Sequence, residues 1–208
     1  MATEKKIEKY VRFYHQPLGQ KILEKEIDLV EEKLTNCTDI LSVGCGPAFL
    51  ETGLQRRHPN INILGIDLSA AMLHYAPPGI TVGIGDAQNL PVCDTMFDAL
   101  LFITSLEFIT DDKKAIKEAH RVLKARGILL AALLNTKSHY FKDEYNDKDS
   151  YIRQNITHLD SDQIKKHLSQ YFTIQKREYY LGVDKGKLLD TNNPTYATLY
   201  VVTGRKHG

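Results

Sequence analysis

The segment Asp39-Ile-Leu-Ser-Val-Gly-Cys-Gly-Pro-Ala48 constrains this chain more than any other. Ile40, Leu41 and Val43 make a short apolar run of strand type, and Gly44 and Gly46 follow at once. Two glycines there let the backbone turn sharply and leave no Cβ between it and a ligand. Pro47 stands where a helix can begin. About 20 residues on, at the distance where the second strand of a doubly wound sheet presents an acid to a ribose, Asp67 closes another apolar run. A strand, a glycine turn, a helix and a strand ending in a carboxylate point to a nucleoside-bearing cofactor.

The rest of the chain extends this pattern. Strand-like runs at 61–66, 80–84, 97–103 and 128–134 alternate with helical patterns. One helix is expected at about 47–56. A second is capped by Asp67-Leu-Ser69 and runs through Ala70, Ala71 and Leu73, and a third carries Ile116, Ala119 and Leu123. Strands alternating with helices predict a mostly parallel sheet with helices on both faces, a doubly wound α/β fold. Before it, Leu23, Ile27, Val30 and Leu34 share one helical face, and residues 10–15 form an aromatic stretch broken at Pro17 and Gly19. Residues 135–158 are polar with no clear periodicity, and Asp160-Ser161 opens a helix to about Gln170. Runs at 172–181 and 196–203 are separated only by turn residues, which predicts an antiparallel pair. Asn193-Pro194-Thr195-Tyr196 reads as a turn.

At 208 residues a single domain, 1–208, is expected. The 27 basic and 26 acidic side chains leave a net charge of +1, so no global field recruits nucleic acid or an anionic membrane. Cys37, Cys45 and Cys93 lack metal spacing and cannot all pair, which suits a reducing, cytoplasmic setting. Met1-Ala2-Thr3-Glu4-Lys5-Lys6 leads into no apolar segment of signal-peptide length. His158 and His167 have no supporting ligands nearby in sequence, so no metal site is expected. Cys45 reads as a small residue facing strand and helix before it reads as a nucleophile. No exposed apolar helix stands out as an oligomer interface.

The dinucleotide fingerprint wants glycine or alanine where this chain has Phe49, and no P-loop sequence occurs. The shorter spacing Gly44-x-Gly46-x-Ala48 remains. With it the chain resembles the class I S-adenosylmethionine-dependent methyltransferases, in the branch that acts mostly on small molecules. Residues 40–46 are similar to that family's first motif. Gly65-Ile-Asp67-Leu-Ser69 with Ala71-Met72-Leu73 resembles its second, and Gly85-Asp86-Ala87 with Leu90-Pro91 its third. Phe97-Asp98 with Ser105-Leu-Glu-Phe108, then Arg121-Val-Leu-Lys-Ala-Arg-Gly127, resembles the fourth and fifth. The resemblance runs from about Tyr10 to the carboxyl end. It implies a Rossmann-like seven-stranded sheet with an antiparallel last strand, a helical cap over 1–36, and a covering segment at 135–170.

The resemblance also implies site roles. Gly44, Cys45 and Gly46 would lie against the methionine part of S-adenosyl-L-methionine. Asp67 would accept both ribose hydroxyls, Leu68 would pack on the adenine, and Asp86 with the Ala87 amide would read the adenine edge. Thr104 would floor the reactive sulfonium, and Tyr10 and Tyr14 would close over the cofactor. One departure stands out: the family usually carries an acid, which helps hold the cofactor's ammonium group, where this chain has Ser42. The implied activity is in-line methyl transfer to a small-molecule acceptor, with Glu107, His139 and His158 as possible bases. A non-catalytic cofactor-binding sensor or partner subunit, or an RNA or protein methyltransferase, are the alternatives. Asp67→Ala is expected to weaken cofactor binding more than Asp147→Ala, taken as a surface control.

Overall fold

The computed structural model describes residues 4–207, so the expected domain ends at 1–3 and 208 lie outside the described residues. A single eight-stranded sheet organises them. Its strands are β1 (Asp39–Val43), β2 (Asn62–Asp67), β3 (Thr81–Ile84), β4 (Phe97–Ile103), β5 (Leu123–Leu134), β6 (Phe172–Asp184), β7 (Lys187–Leu189) and β8 (Ala197–Lys206). Their spatial order is β3-β2-β1-β4-β5-β8-β6-β7. Strands β1 to β5 pair in parallel, and β8 runs antiparallel to both β5 and β6.

Period-two alternation explains why this sheet is covered on both sides. Leu100, Phe102, Leu129, Ala131 and Leu133 point to one face with Leu41 and Val43. That face packs on α5 (Asp112–Val122) and α8 (Ser161–Tyr171) through Ile116, Ala119, Ile164 and Leu168. Ala99, Leu101, Leu130 and Ala132 point to the other face with Ile40 and Ile63. They pack on α2 (Pro17–Lys33) and α3 (Phe49–Arg57) through Ile27, Val30, Leu50 and Leu54. The predicted antiparallel pair is β6 with β8, and the predicted turn at 193–196 leads into β8 through bonds to the Asn193 carbonyl.

Five local expectations need correction, the first being Leu123, which opens β5 five residues before the expected start instead of ending the helix before it. The sheet has eight strands because the Asp184–Lys187 hairpin folds a three-residue β7 onto the edge of β6. The aromatic stretch is not broken loop but the end of α1 (Glu4–Tyr14), and Pro17 opens α2 at its first turn, where a missing N–H costs nothing. Gly19 is required there, since a Cβ would sit 2.1 Å from the Phe13 carbonyl oxygen. The helix after the glycine turn starts at Phe49, because Ala48 holds a left-handed φ of 54°. Residues 135–158 contain two short helices, α6 (His139–Asn146) and α7 (Tyr151–Asn155), each capped by a serine that accepts an N–H from its first turn. The remaining helix, α4 (Ala70–Leu73), is capped by Ser69 as expected.

Candidate cofactor site

The strand order reverses between β1 and β4, so a crevice opens beyond their carboxyl ends. Gly44, at φ 75°, and Gly46, at φ 55°, carry the chain out of β1. A Cβ on Gly44 would lie 2.5 Å from the Ser105 Cβ, while one on Gly46 would project into open space. Ser105 donates its hydroxyl to the Val43 carbonyl at 2.8 Å, tying the end of β1 to the residues after β4. Between them Thr104 holds φ 47°, a conformation a β-branched residue adopts only when its surroundings impose it.

Asp67 ends β2 with its carboxylate facing the glycine turn. Oδ2 accepts the Gly46 N–H and Oδ1 the Ser69 N–H, both at 2.8 Å. Each carboxylate oxygen has two acceptor positions, so one on each oxygen stays free for a pair of donors. Burial raises this carboxyl above its usual value against the pull of those N–H groups. Leu68 follows with 69% of its surface exposed, an apolar face offered to the cavity. Beyond β3, Asp86 Oδ1 accepts from the Gln88 backbone and side-chain nitrogens at 2.8 and 3.0 Å.

These residues line one cavity of about 570 Å³, within the usual size of small-molecule sites. Tyr10, Tyr14, Gly44, Gly46, Asp67, Leu68, Asp86, Ala87 and Thr104 are all on its wall. Helices α1, α6 and α7 cover it, through Tyr10 and Tyr14 on one side and Tyr140, Glu144 and Tyr151 on the other. The Tyr10 and Tyr14 hydroxyls are 3.4 Å apart, and burial pushes both well above the usual tyrosine range.

Cys45 is not on that wall. Its sulfur points toward β2, 2.8 Å from where a Gly65 Cβ would be, and burial pushes the thiol up, away from nucleophilic use. It borders a smaller recess of about 40 Å³ that shares Tyr10, Tyr14, Gly44 and Thr104 with the wall of the cavity. Ser42, Glu51 and Glu26 line this recess. Ser42 Oγ donates to Glu51 Oε1 at 2.5 Å, and Glu51 Oε2 is buried with no hydrogen-bond partner. Burial pushes the Glu51 carboxyl up to about 7, and burial with the nearby Glu51 charge pushes Glu26 up to about 8. Nothing singled out Glu26 or Glu51 in sequence, although a signal existed. Glu51 falls on the helical stripe with Leu50 and Leu54, and Glu26 on the stripe with Ile22 and Val30, so each acid occupies a position patterned for the core.

The three possible bases lie elsewhere. His139 is exposed, its ring 5.1 Å from the Tyr196 ring. His158 Nε2 is 2.8 Å from the Ile109 carbonyl oxygen. Glu107 is fully buried behind the cavity and accepts the Leu134 N–H. Asp147, named as a surface control, lies at the cavity wall and is not neutral to the site. His167 pairs with Asp112 at 2.7 Å, and among the described residues no three acids, histidines or cysteines gather to hold a metal. The described residues include no helix long and apolar enough to cross a membrane. Free acceptors on Asp67 and Asp86, an apolar shelf at Leu68, a bare-backbone turn and an unpartnered carboxylate oxygen fit an adenosine carrying a cationic tail.

Residues 41–131 match the family model described as a methyltransferase domain. Over 117 residues the chain is 32% identical to a demethylmenaquinone methyltransferase of Thermotoga maritima, covering 53% of this chain and 50% of the relative. It is 30% identical over 115 residues to a malonyl-[acyl-carrier protein] O-methyltransferase of Dechloromonas aromatica, covering 55% and 44%. The chain thus spans half or less of the length of these curated relatives. A solved S-adenosylmethionine-dependent methyltransferase of Thermotoga maritima, described as a possible histamine N-methyltransferase, superposes with a TM-score of 0.79. That match covers 98% of this chain and 97% of the other at 21% identity, and it establishes a common fold.

Proposed function

We propose that this protein is a class I, S-adenosylmethionine-dependent enzyme that methylates a small-molecule acceptor, a reading supported by the match of residues 41–131 to a methyltransferase domain. Asp67 carries the reading. Its carboxylate lines the cavity and keeps acceptor capacity beyond the Gly46 and Ser69 N–H groups, which a vicinal diol requires. The resemblance of the motifs supports the remaining roles. Leu68 is the apolar shelf for the base, Asp86 and the Ala87 amide read its edge, Gly44 and Gly46 admit the amino-acid tail, and Thr104 floors the reacting centre. Tyr10 and Tyr14 close the site from α1.

Bound S-adenosylmethionine supplies a methyl group on a sulfonium, which is already an excellent leaving group. The chain is left with alignment and exclusion of water. Fixing two reactants in line can lower a barrier by roughly 7–11 kcal/mol, so no strong base is needed for the bulk of the rate. The helices α1, α6 and α7 roof the cavity and set its size, which favours a small acceptor over a macromolecule. With a net charge of +1, the chain has no field to gather nucleic acid. Cys37, Cys45 and Cys93 are all free thiols, which favours a reducing, cytoplasmic setting.

Calorimetry tests the cofactor reading. Asp67→Ala is expected to weaken binding of S-adenosylhomocysteine by roughly 10- to 100-fold, the value of hydrogen bonds to a charged acceptor. Asp190→Ala, at an exposed position away from the cavity, is expected to leave it unchanged. Equal affinities for the two variants would remove the ribose assignment. Incubation with S-adenosylmethionine and acceptor mixtures completes the test, since binding without S-adenosylhomocysteine formation would point to a sensor.

A further inference from the structure

The recess beside the glycine turn gathers acids with no basic side chain beside them. Two carboxylates, Glu26 and Glu51, line it, and no lysine, arginine or histidine does. Lys6 and Lys9 line the main cavity and not this extension. Ser42 fixes Glu51 by donating to Oε1, which leaves the buried Oε2 as an acceptor with no donor. Such an oxygen is costly to keep inside a fold unless a ligand completes it. The space, about 40 Å³, admits one group little larger than a water molecule.

We propose that Glu51, oriented by Ser42 and accompanied by Glu26, is the receptor for a primary ammonium group on the bound ligand. On the reading above, that group is the α-ammonium of S-adenosylmethionine. A primary ammonium carries three donors and no acceptor. The recess is rich in acceptors, lined by Glu51, whose Oε2 has no partner, with Glu26 and the hydroxyl-bearing Tyr10 and Tyr14. The recess and the main cavity share Gly44 and Thr104 in their walls, so the tail of a ligand whose nucleoside rests at Asp67 and Leu68 is directed toward it. The acid missing from the strand at Ser42 is in this way replaced from the following helix. Serine at 42 is not a loss of the cation site but the hydrogen bond that aims its substitute.

Two ligands and two variants decide this. S-adenosylhomocysteine carries the amino-acid tail, and 5′-methylthioadenosine has the same nucleoside and thioether without it. By calorimetry, Glu51→Gln is expected to weaken S-adenosylhomocysteine roughly 10- to 100-fold, as for a lost charged hydrogen bond. Binding of 5′-methylthioadenosine is expected to stay within about twofold, which also reports an intact fold. Ser42→Ala, which leaves the carboxylate but frees it, is expected to weaken only S-adenosylhomocysteine, by about three- to tenfold. Equal losses for both ligands, or no loss for either, would overturn the ammonium assignment and leave the methyltransferase reading standing. If the unaltered protein binds neither ligand, that reading fails and this one fails with it.

Discussion

Glu51 is held inside the protein with one carboxylate oxygen bonded to Ser42 and the other without a partner, and that has a consequence measurable without any ligand. Its carboxyl is raised to about 7 by burial, above the ordinary 4.5, so the unfolded chain ionises first as pH rises. Stability from the protonated form is complete below about pH 4.5 and is lost as pH climbs through about 7. Glutamine at this position has no such loss. Glu51→Gln is therefore expected to gain on the unaltered protein between pH 5 and pH 8, by on the order of 3 kcal/mol. Urea denaturation at the two pH values checks this, and parallel pH profiles would contradict it. A substitution that stabilises the empty protein while weakening its ligand is the mark of a residue kept for binding. Asp67 differs. Its carboxylate is satisfied by two backbone N–H groups, and its ligand-facing positions are the spare ones.

The strands owe their register partly to an ion cluster at the end of the sheet away from the site. Burial alone would raise the Asp98 carboxyl, but Lys124 at 2.8 Å and the N–H groups of Asp39 and Thr38 hold it well below the usual range. One side chain thus links the starts of β1 and β4 to β5. The sign is opposite to that of Glu51. Stability from Asp98 is present above about pH 4 and is lost as pH falls through its lowered value. Asp98→Asn is expected to cost about 1–2 kcal/mol at pH 7, less than a fully buried pair because the site is partly exposed. The deficit should shrink below about pH 4, which chemical denaturation across pH can follow. The element boundaries were largely legible beforehand. Strands β1 and β4 match their expected limits, because alternation and flanking turn residues are local. Helices α6 and α7 were not legible, since eight and five residues are too few to show a 3.6-residue period.

Taken together, the sheet and its four large helices form two extensive core layers, whereas α1, α4 and α7 meet over the cavity in a minor one. That third cluster consists of Ile7, Val11 and Met72, with Tyr10, Phe49, Tyr75 and Tyr151 packed against it. Little apolar area holds α1 to α4 and α7, so the roof is expected to open well below the energy of global unfolding. Hydrogen exchange should show S-adenosylhomocysteine slowing amides at 4–14 and 139–155, with β4 and β5 unaffected. Uniform protection across the sheet would instead mean that roof and core open as one unit. The strand–turn–strand unit with its acid at Asp67 could be read directly, because positive φ, two-residue alternation and a carboxylate at a strand end belong to neighbouring residues. The charged recess could not. Glu26 and Glu51 lie on different helices, and only the packing of α2 and α3 on one sheet face brings two acids to the same wall. The insertion of β8 between β5 and β6, and the roofing of the site by α1 together with α6 and α7, likewise depend on contacts between segments far apart in sequence, which no local pattern encodes.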